Sequence, residues 1–400
     1  MRLILLSLLS IVLSACGSSP SPVLPPADLV ELENKLPVKL LWQRHVGNGA
    51  SDNYLKLKPA VSGKIGYAID HQGYLLAWEL VSGKSIWTKK YNTPASSALS
   101  LTEDRLYFGT SLGEVFAVKR KDGSLIWRAP VSSEVLSSPV INGNSVIVRT
   151  VDGRIHSLNI ENGQKLWVHD RSVPVLSLRG TSSPIVVDGL VISGADNGKL
   201  TALALKNGTV LWETTIAVPR GRSEIERLID IDAQPLVRDG VIYTVAFQGR
   251  LAAVRIDSGR ILWVRDISSY NGMTMDTNKL YLSDSEGQVW ALDRFNGATL
   301  WKQSRLLRRA ISRPVIQGGH ILVGDFNGYL HWMSRTDGRL IARTRLDYDP
   351  VPDLEEDEEP DSPVFSKSRN ILATPVVRND IAVVINRQGL MSAFRVGETI

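Results

Sequence analysis

Six histidines are the residues of this 400-residue chain best suited to acid–base or metal chemistry at neutral pH. Two of them stand beside an aspartate, as Asp70-His71 and His169-Asp170, which are the residue types of a catalytic dyad. Adjacency in sequence does not align two side chains, and turns commonly contain such pairs. No His-Glu-x-x-His motif, Gly-x-Ser-x-Gly elbow, phosphate-binding loop or dinucleotide fingerprint accompanies them. We therefore predict no catalytic residue, no metal site, no cofactor and no enzymatic activity.

Two short stretches carry side chains suited to binding another protein. Leu176 and Leu178 alternate, so they face the same way if the stretch is extended, and Arg179 beside them can form a bidentate pair with a carboxylate. In the second stretch, Asp230 and Asp232 offer acceptors to a basic partner. These five residues are the predicted partner-binding site. The alternative is that Arg179 pairs with one of the aspartates and only fastens the two stretches together.

Charge is concentrated in two further places, although the formal net charge of +5 is mild. The segment 347–361 holds nine carboxylates and no basic residue, and it lacks the spaced ligands and glycine of an EF-hand. Mutual repulsion predicts a solvated loop that folding does not require. A group of arginines near residue 310 is expected to be a solvated surface or a site for an acidic protein, not for nucleic acid: Arg305, Arg308, Arg309 and Arg313.

These residues are carried by an internal repeat that covers nearly the whole chain. Each of the eight units starts with a glycine; seven have a second glycine ten residues later, and six of these have a tryptophan four residues after that. In six units a proline precedes the first glycine by fourteen residues. In the seventh unit Ala342 stands where the tryptophan is expected. The starting glycines are Gly73, Gly113, Gly153, Gly198, Gly249, Gly287, Gly328 and Gly389.

Each unit of about 40 residues contains short alternating runs separated by Asn-Gly or Asp-Gly turns, which is typical of a four-stranded propeller blade. The sequence therefore predicts an all-β, eight-bladed β-propeller with four-stranded antiparallel blades. The last unit lacks its fourth strand, and residues 38–46, with Trp42, form an orphan strand. We expect this N-terminal strand to complete the last blade and close the ring.

Length varies only in the joints, the connections between one tryptophan position and the next proline position. The joints share one face of the ring with the turns between second and third strands, so that face is the predicted binding face. One joint contains Ser223 and Glu226 at the spacing of a capping box, which predicts a helical turn.

The first residues read as an export signal. Arg2 precedes an apolar run over 3–13 that is too short for a membrane span. The run ends in Leu13-Ser14-Ala15-Cys16, which resembles the lipobox of bacterial lipoproteins and implies lipidation of Cys16. Five prolines follow before residue 38. The predicted domains are a signal peptide over 1–15, a lipidated flexible tether over 16–37 with a reach of ~70 Å, and the propeller over 38–400.

Three segments make the family resemblance specific: 176–180, 224–232 and 328–332. Together with the lipobox and the eight units, they resemble the BamB family, the lipoproteins of the outer-membrane β-barrel assembly machinery. The resemblance implies a non-enzymatic scaffold, lipid-anchored to a Gram-negative outer membrane and facing the periplasm. It further implies binding to the POTRA domains of BamA, assistance to barrel insertion, and contact with nascent outer-membrane proteins as an additional option.

Two other functions stay open from the sequence. The repeat also resembles that of pyrroloquinoline-quinone dehydrogenases, but the single cysteine cannot supply the adjacent pair common in the alcohol dehydrogenases of that family. The third reading is a general periplasmic adaptor for envelope complexes.

Overall fold

Eight four-stranded antiparallel sheets make up the fold in a computed structural model of the chain. The structure describes residues 24–51, 53–170, 182–219, 221–223, 225–346 and 369–397. No helix occurs over these ranges, and hence none that is long and apolar enough to cross a membrane. The predicted eight-bladed β-propeller is confirmed.

The strands are numbered in chain order, and each blade takes four of them. The strands are β1 (Val38–His45), β2 (Ala60–Ser62), β3 (Ile65–Ile69), β4 (Tyr74–Glu79), β5 (Ser85–Lys90), β6 (Ser100–Leu101), β7 (Arg105–Gly109), β8 (Glu114–Lys119), β9 (Leu125–Pro130), β10 (Val140–Asn142), β11 (Ser145–Arg149), β12 (Ile155–Asn159), β13 (Lys165–His169), β14 (Ile185–Val187), β15 (Leu190–Gly194) and β16 (Lys199–Ala204). They continue with β17 (Val210–Thr215), β18 (Leu236–Arg238), β19 (Val241–Val245), β20 (Leu251–Arg255), β21 (Ile261–Arg265), β22 (Met273–Met275), β23 (Lys279–Ser283), β24 (Val289–Asp293), β25 (Thr299–Gln303), β26 (Val315–Gln317), β27 (His320–Gly324), β28 (Tyr329–Ser334), β29 (Leu340–Arg345), β30 (Val376–Arg378), β31 (Ile381–Ile385) and β32 (Leu390–Val396).

The ring closes as the sequence predicts. Blade 1 runs from β2 to β5, blade 7 from β26 to β29, and blade 8 is ordered β30-β31-β32-β1. The outermost strand of blade 8 is the N-terminal one, paired antiparallel from Val38 with Val396 to His45 with Leu390. The inner strands β2 and β30 are in contact, so blade 8 meets blade 1. The two ends of the chain therefore hold one blade together.

The repeating tryptophans fasten seven of the eight blades to the blade that follows. Trp127 of blade 2 donates from Nε1 to the carbonyl oxygen of Ile160 in blade 3 at 2.9 Å, and its ring covers Gly163. A Cβ on Gly163 would lie 2.7 Å from Cε3 of that ring, and the φ of +72° also favours glycine. The same ring-on-glycine contact joins Trp42 to Gly83, Trp87 to Gly123, Trp167 to Gly208, Trp212 to Gly259, Trp263 to Gly297 and Trp301 to Gly338.

Residues 24–37, assigned above to the tether, lie against blade 7. Lys35 donates its backbone N–H to Ile341 at 2.8 Å, and the Asn34 side chain exchanges hydrogen bonds of 2.8 and 3.1 Å with the backbone of Arg343. Leu36 is 1% exposed and packs among core residues of blades 7 and 8. The contacts between the chain and the propeller therefore begin before residue 38.

The start of this segment is held by the loop after β25. Arg308 donates from Nε to the Pro25 carbonyl at 2.6 Å. Ala27 donates its backbone N–H to Leu307 at 3.0 Å and accepts from Nη1 of Arg309, also at 3.0 Å. Residues 16–23 of the predicted tether, Cys16 included, lie outside the described residues.

Candidate functional site

A cavity of about 650 Å³ opens on the face that carries the joints. All the residues around it come from joints or from turns between second and third strands, and they belong to blades 1, 2, 3, 5 and 6. Because these blades lie on opposite sides of the ring, the cavity lies over the propeller axis. We call it the funnel, and the residues that matter here are Tyr54, Lys56, Leu136, Asp232, Phe247 and Tyr270.

Three aromatic rings, those of Tyr54, Phe247 and Tyr270, stand in the wall of the funnel. Phe247 and Tyr270 meet edge to face, with ring centroids 5.9 Å apart. Lys56 donates from Nζ to the carbonyl oxygen of Tyr270 at 3.4 Å and lies 5.9 Å from the centroid of that ring. Tyr54 also lines the funnel and is 57% exposed. The funnel therefore offers an apolar interior with a few polar groups, as small-ligand pockets do.

Of the predicted partner-binding residues, the structure describes the two aspartates. Asp232 lines the funnel and is 8% exposed. Asp230 is fully buried, and its backbone carbonyl accepts from the N–H of Phe247 at 2.7 Å. Neither carboxylate is without a partner. The two aspartates thus belong to the wall of the funnel and to the joint behind it.

The other three predicted residues, Leu176, Leu178 and Arg179, lie outside the described residues. Their proximity to the aspartates, and the choice between a partner contact and an internal ion pair, therefore stay predictions. The joint that should hold them begins after β13 and ends before β14, on the face of the funnel.

The joint between blades 4 and 5 contains the predicted capping box. Glu226 accepts from the backbone N–H groups of Arg222 and Ser223 at 2.7 and 3.2 Å, and donates its own N–H to Oγ of Ser223 at 3.2 Å. Arg227 also donates its backbone N–H to the carbonyl oxygen of Ser223 at 3.1 Å, so the segment makes the predicted helical turn and does not extend into a helix over the described residues. On the same joint, Val218 is 56% and Ile225 72% exposed, which leaves two apolar side chains in solvent.

Of the predicted surface patch of arginines, only Arg305 is exposed; Arg309 is buried, and Arg308 and Arg313 are partly buried. Arg309 is 5% exposed and donates from Nε to Asp325 at 2.8 Å, while His331 meets the same carboxylate at 3.0 Å. Burial opposes ionisation of Asp325, but its hydrogen bonds and charge contacts with His331 and Arg309 outweigh it, so the pKa of Asp325 is lowered. Arg308 holds the N-terminal segment, and Arg313 lies beside Gly272 near the axis.

Asp70 and His71 do not form a dyad, and Asp170 of the other pair accepts from Nε of Arg154 at 2.5 Å. Asp70 accepts from the backbone N–H groups of Gln72 and Tyr74 at 2.9 and 2.7 Å, so it shapes a turn. His71 contacts the carbonyl oxygen of Gly49 with Nδ1 at 3.2 Å. Over the described ranges, no group of three or more His, Cys, Asp or Glu side chains is arranged to hold a metal ion.

Residues of the funnel share a position in the repeat, although no chemical motif marks them. Several of its residues stand three positions before the proline position of the repeat, including Lys56, Leu136, Asp232 and Tyr270. Residues at the same place in each unit lie at equivalent places around the axis of a propeller. Their types, read around the ring, therefore describe the channel lining.

Comparison with known proteins places the chain among relatives of the same architecture. A family model described as outer membrane protein assembly factor BamB matches residues 38–124 and 71–303. The outer membrane protein assembly factor BamB of Yersinia pestis is 34% identical over 407 residues, 98% of each chain. The chain belongs to the BamB family.

Solved structures agree on the fold. The crystal structure of BamB from Moraxella catarrhalis has a TM-score of 0.77 at 24% identity, covering 90% of this chain and all of that one. The quinohemoprotein alcohol dehydrogenase of Comamonas testosteroni has a TM-score of 0.67 at 11% identity, covering 90% of this chain and 76% of that enzyme. The dehydrogenase shares the propeller fold alone, whereas BamB relatives match in sequence over nearly the whole chain.

Proposed function

We propose that this chain is a non-enzymatic scaffold subunit of the machinery that assembles β-barrel proteins in the outer membrane of a Gram-negative bacterium. The observation that carries the proposal is the 34% identity with the Yersinia pestis assembly factor over 98% of both chains. The scaffold binds the POTRA domains of BamA and so fixes their orientation. Cys16 carries the lipid that holds the propeller at the periplasmic side of the membrane.

The joint face supports this proposal chemically. Val218 and Ile225 expose apolar surface beside the funnel, on a joint whose shape is held by the capping box of Ser223 and Glu226. Leu176, Leu178 and Arg179 supply the neighbouring joint with two apolar anchors and one bidentate donor. Buried Asp230 and Asp232 act in this arrangement by shaping the wall between the two joints.

A quinone-dependent dehydrogenase is the enzymatic alternative, and the described residues do not fit its cofactor. Over the described ranges, no group of three or more His, Cys, Asp or Glu side chains is placed to hold a Ca²⁺ ion, which prefers oxygen ligands. Incubation with pyrroloquinoline quinone and Ca²⁺ tests this function directly. A bound chromophore with dye reduction would overturn the scaffold proposal.

The scaffold proposal is tested by affinity capture from detergent-solubilised envelopes. We expect a tagged full-length chain to retain BamA, and a purified POTRA fragment to compete for the same site. The control is a tagged outer-membrane lipoprotein of another family, handled identically. Absence of BamA from the captured material, with the chain folded and lipidated, would contradict the proposal.

A further inference from the structure

The throat of the central channel carries positive charge. In each unit one residue directly precedes the proline position at the start of the inner strand, and the eight form a ring below the funnel. Lys58 and Arg313 are the two charged members, from blades 1 and 7, and no member is acidic. The ring consists of Lys58, Ala98, Ser138, Ser183, Gln234, Gly272, Arg313 and Thr374.

These two cations lie close together and near the funnel. Arg313 acts electrostatically on Lys58 and on Lys56, which lines the funnel. The side chain of Arg313 crosses the position of Gly272 in blade 6, where an added Cβ would lie 3.6 Å from its Cδ. The arginine side chain of blade 7 therefore reaches the neighbouring blade at this ring position.

Arg313 differs from the most buried arginines of the molecule. Arg149, Arg294 and Arg309 are each at most 5% exposed, and each forms an ion pair with an aspartate. Within the described ranges, Arg313 and Lys58 have no ion pair, and the buried Nε of Arg313 has no hydrogen-bond partner. Burying charge without a counter-charge is costly, so such a pair favours the arrival of an anion.

The pKa directions agree with this arrangement. Burial, followed by the charge of Arg313, lowers the pKa of Lys58 to about 8. Burial alone lowers the pKa of Arg313 to about 10. For Lys56, burial lowers the pKa, the attraction of Asp232 opposes this, and the repulsion of Arg313 adds to it. Asp232 thus acts on Lys56, while Glu134 is the second carboxylate of the funnel lining.

We propose that the channel throat is a binding site for an organic anion. Arg313 and Lys58 hold one carboxylate or phosphate group, and Lys56 stands at the entrance. The apolar body of the ligand occupies the funnel against Tyr54, Phe247 and Tyr270. A guanidinium can bind either oxyanion in bidentate fashion, and the cavity volume of about 650 Å³ suits a small ligand.

The proposal is tested by calorimetric titration of the full-length chain in detergent with three matched probes. We expect 3-phenylpropionate to bind at least tenfold more tightly than its neutral amide, 3-phenylpropanamide. Phenyl phosphate distinguishes a phosphate from a carboxylate preference. Inorganic phosphate should bind at least tenfold more weakly than phenyl phosphate, because it lacks the apolar body.

Substitution of the two cations provides the second arm. Arg313→Gln and Lys58→Met should each weaken binding of the preferred acid at least tenfold while leaving the thermal unfolding midpoint at or above that of the wild type. Arg339→Gln, at an exposed turn of blade 7, is the matched control and should bind as the wild type does. Equal binding of acid and amide, or unchanged binding in both channel variants, would overturn the site. The BamA capture experiment does not depend on this outcome.

Discussion

Trp332 lies directly across from Ala342 in blade 7, and this pair inverts the pairing found in the other blades. Elsewhere the tryptophan is on the fourth strand and a small residue faces it from the third, as with Ala291 and Trp301. Blade 8 explains the inversion. A fourth-strand tryptophan rests on a turn glycine of the following blade, and blade 8 has the two chain ends there, where Gly397 donates to Pro37 at 2.9 Å.

A tryptophan in blade 7 should therefore stabilise the fold at position 332 on the third strand, but not at position 342 on the fourth. Trp332→Ala is expected to lower the free energy of unfolding by about 3–5 kcal/mol, because a fully buried ring is lost. Adding Ala342→Trp should not restore stability, since no glycine turn receives the ring. Denaturant unfolding of both variants measures this, and recovery of wild-type stability in the double variant would show that the docking explanation is wrong.

Ring closure through β1 gives a second prediction. Removing residues 38–46 takes away the outermost strand of blade 8 together with Trp42, and leaves β32 with an exposed edge. We expect loss of cooperative thermal unfolding or aggregation. Removal of 17–23 is the control and should leave the unfolding midpoint unchanged. Similar melting curves for the two deletions would contradict closure by this strand.

Attachment through Cys16 is tested by one substitution. Cys16→Ala removes the thiol that lipidation requires, so we expect an unprocessed or soluble chain and no incorporation of radiolabelled palmitate. The wild-type chain, labelled in parallel, should carry the label and sediment with outer membranes. A wild-type chain without label would contradict lipidation of Cys16, and it would have no bearing on the propeller fold.

Lys58 gives a pH-dependent prediction. Its pKa of about 8 in the folded chain lies below the usual lysine value, so the unfolded state binds more protons between about pH 8 and 10.5. Stability from this group therefore rises as the pH increases through that window. Lys58→Met should stabilise the chain by about 1–3 kcal/mol at pH 7 and by progressively less toward pH 10. Urea unfolding at several pH values, with Arg339→Gln as control, decides this; a gain independent of pH would contradict it.

The partner site on the joints is tested with Leu176→Ala, Leu178→Ala and Arg179→Ala. Each should weaken binding of the POTRA domains by about 1–3 kcal/mol, the range of interface hot spots, without lowering the thermal midpoint. A triple variant that is folded and binds normally rejects the site. A collapse in melting temperature would instead favour an internal ion pair between Arg179 and an aspartate of the neighbouring joint.

The fold could be predicted from sequence because its rules are local and repeated. A glycine, a second glycine ten residues on and a tryptophan four further fix the turn and the contact between blades, as Gly163 and Trp127 show. The missing strand of the last unit and the orphan strand around Trp42 likewise determine closure. The repeat can be recognised in the sequence because every blade requires the same residue types at the same spacing.

What could not be predicted depends on contacts between distant parts of the chain. Arginine is usually a surface residue, and Arg309 becomes a buried partner of Asp325 only because blade 7 surrounds it. The same holds for Leu36, which a proline-rich composition assigns to a tether and which fills the gap beside Ala342. Neither position belongs to the repeat, so neither inherits its pattern.

The docking of residues 24–37 on blade 7 would set the geometry of the attachment proposed at Cys16. Between Cys16 and Leu24 only seven residues lie outside the docked segment, a fully extended length of at most about 28 Å, against the ~70 Å of a tether that reached residue 38. With a lipid on Cys16, the propeller would be attached to the membrane through a short chain segment that joins it at blade 7.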